Sequence, residues 1–441
     1  MSKPIIAVVG RPNVGKSTLF NRIIGKRIAI VEDTPGVTRD RIYAEGEWCG
    51  TSFALIDTGG IEPKNMEVIP AQMRAQAELA MEMSDVVLFL VDGKEGLTNS
   101  DMEVAELLRR KSSKVVLCVN KIDTKKLPDD FYDFYELGLG EPIPISAANM
   151  LNLGDLLDRL LENFTDINEE DEEDVCKIAI IGKPNVGKSS LINRLLGEDR
   201  VIVSDIAGTT RDSIDTPLVK NGEKFTLIDT AGIRRRSKIN EDIEKYSVVR
   251  AVAAIERSDV CVVMLDASQG LSEQDKRIAG LAHESGKGIV VVVNKWDLIE
   301  KETNTMRDFK NRMKNELAFM SYAPYRFISA KTGQRAFDVL DTAKAVAANC
   351  AMRVSTGQLN SVLQDAILMK HPPSDKGKSL KIYYASQVGV KPPLFSFKIN
   401  KRELMHFSYS RYLENKIREA FGFAGTSIKF VFREKGAKED V

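Results

Sequence analysis

Short, continuous apolar runs recur through the first two thirds of the chain, at residues 53–56, 86–91, 115–119, 225–228, 260–265 and 289–293. Unbroken Val/Ile/Leu runs separated by amphipathic stretches predict strands buried on both faces, as in a mostly parallel sheet covered by helices. The pattern therefore predicts two doubly wound α/β domains. From Thr356 the rhythm changes to a helix (357–370), two strands (379–386 and 394–399), a helix (410–421) and a last strand (427–432), a small α+β domain.

The runs belong to a repeat. Gly10, Arg11, Pro12, Asn13, Val14, Gly15, Lys16 and Ser17 return as Gly182, Lys183, Pro184, Asn185, Val186, Gly187, Lys188 and Ser189, shifted by 172 positions. The same shift carries Thr38 onto Thr210. It also carries Asp57, Thr58, Gly59, Gly60 and Ile61 onto Asp229, Thr230, Ala231, Gly232 and Ile233. With small drift, Asn120, Lys121, Ile122 and Asp123 meet Asn294, Lys295, Trp296 and Asp297, and Ser146 and Ala147 meet Ser329 and Ala330. The expected organisation is a first domain at 1–165, a linker at 166–174, a second domain at 175–352 and a third at 353–441.

Gly-x-x-x-x-Gly-Lys-Ser between an apolar run and a helix is the phosphate-binding loop, whose backbone N–H groups face an anion at a helix N-terminus. Lys16 and Lys188 are expected to reach the β- and γ-phosphates. Ser17, Ser189, Asp57 and Asp229, with the switch threonines Thr38 and Thr210, are the expected magnesium side of each site. Thr34 and Thr209 lie close enough to leave the choice of threonine open. Gly60 and Gly232 can offer N–H to the γ-phosphate.

Asn-Lys-x-Asp selects the base. A carboxylate accepts from both N1–H and the 2-amino group of guanine, whereas adenine leaves it unpaired, a loss of several kcal/mol by the usual cost of buried polar groups. Asp123 and Asp297 thus argue for GTP over ATP. Lys121 and Lys295 are expected along the base, and the turns at Ser146-Ala147 and Ser329-Ala330 should offer N–H to guanine O6. Where many GTPases orient water with glutamine, this chain has Ile61 and Ile233, so hydrolysis needs another group.

Lys plus Arg balance Asp plus Glu at 63 each, so total charge names no partner. The balance hides two opposite segments. Residues 166–174 carry seven carboxylates and little apolar surface, which reads as an extended linker or a solvated acidic helix end. Residues 353–441 carry sixteen Lys/Arg against eight Asp/Glu, a net +8. The five scattered cysteines form no disulfide or zinc pattern. No apolar stretch approaches the ~20 residues of a membrane span, and no leader precedes Ile5, so the chain is expected in the cytoplasm and as a monomer.

Two Gly-x-Pro-Asn-Val-Gly-Lys-Ser loops, an acidic linker and a basic α+β tail together make the chain similar to the tandem-GTPase family called Der or EngA, over essentially all 441 residues. The resemblance implies GTP hydrolysis, Mg²⁺, a KH-like third domain, and a part in assembly of the large ribosomal subunit. Asn13 and Asn185 also resemble the loop asparagines of GTPases activated by K⁺; the same residue type equally suits the turn itself. Arg234, Arg235, Arg236, Ser237 and Lys238 read as a partner-facing basic patch, or as a source of a catalytic arginine.

In the tail, Lys381, Tyr383, Tyr384, Lys391, Phe395, Phe397, Lys398, Lys401 and Arg402 interleave basic and aromatic character, which suits phosphate contact plus base stacking or, residue by residue, an ordinary core with solvated lysines. Gly422-Phe-Ala-Gly425 has the spacing of a KH loop, but it falls between a helix and the last strand and is read as a helix-terminating turn. A tRNA-modifying or metal-delivering GTPase would require an added catalytic domain or Cys/His cluster. An inactive scaffold would not require both loop lysines.

Overall fold

The structure is a computed structural model and describes residues 3–24, 43–57, 74, 77–78, 80–110, 114–124, 126–164, 175–197, 201–203, 215–229, 244–375 and 378–434. By internal contacts it divides into two units, Met1–Glu173 with Lys238–Arg257, and Asp174–Ser237 with Ser258–Val441.

In the first unit β1 (Ile5–Val9) leads through a loop to α1 (Lys16–Ile24), then β2 (Tyr43–Trp48) and β3 (Thr51–Asp57). β4 (Val86–Asp92), α2 (Asn99–Arg110), β5 (Lys114–Asn120), β6 (Ile143–Pro144) and α3 (Leu153–Glu162) follow. The sheet order is β2-β3-β1-β4-β5-β6, parallel except for the β2–β3 pairing. Alternation along β1 explains the two layers: Ile6 and Val8 enter one core cluster, Ala7 and Val9 another on the opposite face. Because β1 lies between β3 and β4, the chain reverses its winding there, which is where open α/β sheets leave a ligand crevice.

The second unit repeats the plan. It runs β7 (Cys176–Ile181), α4 (Lys188–Leu196), β8 (Val201–Val203), β9 (Thr216–Lys220) and β10 (Glu223–Ile228). After α5 (Glu244–Arg257) come β11 (Val260–Asp266), α6 (Glu273–Glu284), β12 (Gly288–Asn294), α7 (Thr305–Glu316), β13 (Tyr325–Phe327) and α8 (Asp338–Ala351). The order is β13-β12-β11-β7-β10-β9-β8.

One segment departs from the expected span of 175–352: α5 groups with the first unit. Its small Ala253 seats among Ile5, Ala54 and Ile56. Nearby, Tyr43 Oη donates to the buried Glu256 Oε1 at 2.6 Å and Arg250 Nη2 to Glu82 Oε2 at 2.8 Å. An apolar seat flanked by two polar contacts holds the helix there, which periodicity within one segment cannot foretell.

The tail has the expected order: α9 (Thr356–Met369), a short ladder of β14 (Ser374–Asp375) and β15 (Lys378–Ser379), β16 (Ile382–Gly389), β17 (Leu394–Ile399), α10 (Phe407–Phe421) and β18 (Lys429–Glu434). β16 pairs antiparallel and β18 parallel with β17. Leu359, Leu363, Leu413 and Ile417 from the helices pack with Phe395, Phe397 and Ile399. The strand expected at 379–386 is split, because the buried Leu380 turns inward and donates its N–H to Pro373 O at 2.9 Å. The Gly422–Gly425 turn does more than end α10. Gly425 O accepts from Ile289 N at 2.6 Å, its N–H donates to Tyr322 O at 3.0 Å, and a Cβ there would meet Val346 at 2.3 Å. It is one of the points at which the tail domain rests on the second α/β core.

Candidate nucleotide sites

Each loop leaves the end of a buried strand and closes on a helix whose first residue is the loop lysine. Gly15 and Gly187 have φ of +100° and +101°, and a Cβ at either would come 2.3 and 2.2 Å from the side-chain amides of Asn120 and Asn294. Only glycine permits that approach. Asn13 and Asn185 also take left-handed φ, +65° and +63°, a conformation asparagine tolerates, and both are exposed. Lys16 Nζ donates to Gly10 O and Arg11 O, both at 2.7 Å, and Lys188 Nζ to Gly182 O and Lys183 O, both at 2.7 Å. The ammonium is thus fixed inside a ring of backbone at a helix N-terminus, an arrangement suited to phosphate oxygens.

The second corner is tied to the first by asparagine. Asn120 Nδ2 donates to Val14 O at 2.8 Å while its Oδ1 accepts from Ala147 N at 3.0 Å, and Asn294 bridges Val186 O and Ala330 N at 2.8 and 2.9 Å. The N–H groups of Ala147 and Ala330, reserved by the sequence reading for guanine O6, are therefore already engaged, and a base must share them or use a neighbouring donor. Asp123 Oδ1 accepts from Ser146 Oγ at 2.7 Å and from Asn149 Nδ2 at 3.1 Å, and its Oδ2 from Lys94 Nζ at 2.5 Å. Lys94 first, then Ser146, holds the Asp123 carboxyl below the usual carboxylate range. A hydrogen bond from Ser329 does the same for Asp297.

The third corner gathers hard oxygens. Ser17 Oγ donates to Asp57 Oδ2 at 3.1 Å, with Asp57 buried at the end of β3. At the matching end of β10, Asp229 has φ of +56° and donates its N–H to Asp215 Oδ1 at 3.0 Å.

Some motif positions serve the scaffold. Val14, Val186, Ile122 and Trp296 are buried, and Trp296 packs on Phe309 and Phe327. Other contributors were not singled out from sequence. Asp92 and Asp266, buried at the ends of β4 and β11, receive Lys121 and Lys295, the latter at 2.6 Å. Burial works against their ionisation, but the lysine hydrogen bonds prevail and lower both pKa values. Asp101 and Asp275, fully buried, anchor Arg11 and Lys183 at 2.9 and 3.0 Å. Extending the repeat would have found all four, since each pair lies 174 positions apart. Thr38, Thr58, Gly59, Gly60, Ile61, Thr210, Thr230, Ala231, Gly232, Ile233, residues 234–238 and the linker 166–174 lie outside the described residues.

Known proteins bear on these sites and on the tail. Residues 5–121 and 177–295 match the family described as 50S ribosome-binding GTPase. Residues 353–433 match the C-terminal KH-domain-like region of EngA bacterial GTPase enzymes. A GTPase Der of Alkaliphilus oremlandii is 62% identical, covering 100% of both chains, and one of Clostridium novyi is 59% identical, covering 99% of this chain and 100% of its own. Among solved structures, Era in complex with MgGDPNP and nucleotides 1506–1542 of 16S ribosomal RNA aligns at 21% identity over 60% of this chain and 94% of that one. The TM-score of that alignment is 0.31.

Proposed function

This chain belongs to the Der, or EngA, family of tandem GTPases, and from that premise we propose that it binds one guanine nucleotide in each α/β domain and acts in assembly of the large ribosomal subunit, docking on ribosomal RNA through residues 353–441. The observation that carries the nucleotide part is the asparagine tie, which in both domains joins the loop around the lysine to the turn beside the base-reading aspartate. Phosphate end and base end are held at a fixed separation by one side chain.

Lys16 and Lys188 stabilise the charge spread over the β- and γ-phosphates, and the loop N–H groups orient them. Asp123 and Asp297 accept from N1–H and the 2-amino group of guanine. Magnesium suits the hard oxygens of Ser17 with Asp57 and of Ser189 with Asp229, with Thr38 and Thr210 completing the set, since Mg²⁺ takes few protein oxygens and fills the rest from water and phosphate. When bound it neutralises charge on the transferring phosphoryl group. Asn13 and Asn185, exposed at the loop crest, would offer an amide oxygen to a potassium ion, which would supply positive charge in sites that carry Ile61 and Ile233 at the glutamine positions. As functional units we take 1–165, the linker 166–174, 175–352 and 353–441.

The tail's net +8 supports the RNA part, because neutralising several phosphates with Lys and Arg gives affinity that falls steeply with salt. Cosedimentation with large ribosomal subunits across a salt series, with GTP, GDP or no nucleotide, tests it. Salt-sensitive, nucleotide-dependent binding competed by free large-subunit RNA is expected. Binding indifferent to salt, nucleotide and competitor RNA would contradict it.

A further inference from the structure

Two places in the tail domain where a nucleic acid could be received are already committed. The Gly422–Gly425 turn is spent on docking to Ile289 and Tyr322. The outer edge of β16 is closed by Asn360, whose Oδ1 accepts from Ala385 N at 2.9 Å and whose Nδ2 donates to Ala385 O at 2.8 Å, so no added strand can extend the sheet at that point. What remains is the sheet face turned away from α9 and α10.

That face can be read from the register. Phe395, Phe397 and Ile399 point into the helical core, so Ser396 and Lys398 point to the other side. Lys398 pairs with Tyr384 on β16 and with Arg433 on β18, placing tyrosine, lysine and arginine in one row across all three strands, with neighbouring strands about 5 Å apart. The next row, Ser386, Ser396 and Val431, contains no carboxylate. A register shift between Ile382 and Tyr384 brings two consecutive tyrosines to the surface, Tyr383 at 47% and Tyr384 at 51% exposure. Exposed rings beside cations on a pleated surface suit an unpaired strand whose bases lie flat on the rings while its phosphates meet the basic residues. A duplex would present no base face to stack.

Resting on the RNA-docking reading above, we infer that this sheet face, with Tyr383, Tyr384, Lys398 and Arg433, is the surface that takes single-stranded RNA, in place of the helix-and-loop cleft that a KH spacing suggests. The test is fluorescence anisotropy of the full-length protein with a fluorescein-labelled single-stranded RNA of mixed sequence and with the same strand annealed to its complement. The variants are Tyr384→Ser, Tyr384→Phe, Lys398→Gln with Arg433→Gln, and Phe407→Ser, which alters an exposed ring at the start of α10. The wild type should prefer the single strand. Tyr384→Ser should weaken it about tenfold or more, while Tyr384→Phe retains it. The paired charge substitution should reduce the salt slope by roughly 0.7 per charge removed. Tyr384 is half exposed, and GTP binding by each variant checks its folding. Undiminished binding by both the Tyr384→Ser and charge variants, or a loss confined to Phe407→Ser, would overturn the sheet-face inference while leaving RNA docking in place. Absence of binding to either RNA by the wild type would overturn both.

Discussion

In the first nucleotide site Asp123 is met by an ammonium group, Lys94 Nζ at 2.5 Å, whereas the corresponding position of the second repeat is Ser268, whose hydroxyl turns instead to Asp266 at 2.6 Å. Asp297 takes a hydrogen bond from Ser329, with Lys331 and Lys301 acting on its charge without an ion pair among the described residues. The two sites share every motif residue expected to fix the base, yet the first would give up an ion pair when guanine arrives and the second would not. The loop residues differ in the same sense: among the described residues Arg11 engages both Asp101 and Glu95, while Lys183 pairs with Asp275. Repeated motifs therefore point to a common ligand, and residues just outside them are expected to set how hard each copy holds it.

The largest expected effect tests the shared part. Asp123→Asn and Asp297→Asn should each weaken guanine nucleotide by about 2–3 kcal/mol at their own site and admit xanthine nucleotide there, read by calorimetry. Loss at both sites from either change would break the picture of two independent copies.

Acid should separate the two halves by up to about 3 kcal/mol. All three histidines lie in the second half of the sequence, and His283, against Tyr322 at 2.7 Å, is pushed by burial to a pKa of about 4, with Lys429 and Arg418 adding to the shift. The unfolded chain takes up the proton first, so the stability tied to neutral His283 is full above the ordinary histidine pKa and is lost as pH falls towards 4. Melting curves over that window should show a smaller acid loss for His283→Gln than for wild type; identical pH profiles would remove His283 from the account.

Monovalent cations should act on both sites alike. Potassium is expected to raise GTP hydrolysis several-fold over sodium, with Asn13→Ala and Asn185→Ala each removing the response of one site. Rates blind to the cation would turn attention to residues 234–236.

The smallest effect concerns the difference itself. An exposed ion pair is weak and screened by salt, so Lys94→Ser should tighten GDP at the first site by no more than about fivefold and reduce its sensitivity to salt, while Ser268→Lys does the opposite at the second. Equal affinities in wild type and both variants would make Lys94 a bystander.

Much of this is legible in the sequence. Strands at 86–91 and 260–265 announce themselves because they are buried on both faces, and the tail's helix–strand–strand–helix–strand order follows from local periodicity. Lys94 was not legible, since a lysine after a strand looks like any solvated residue until Asp123 is folded against it. Nor was the seat of α5: Ala253 is an unremarkable helical alanine until Ile5, Ala54 and Ile56 form the patch that receives it. The Gly425 turn read correctly as a helix stop, but the carbonyl it offers to Ile289 depends on a strand more than a hundred residues away. Local pattern carries what one segment does alone; long-range pairing decides what it touches.

The central claim, two separate guanine sites on one chain, is tested most directly by isothermal titration of the full-length protein with GDP, alone and in the Asp123→Asn and Asp297→Asn variants. Two nucleotides bound per chain, one in each variant, and no competition from ADP are expected. A single nucleotide per wild-type chain, displaced equally by ADP, would contradict it.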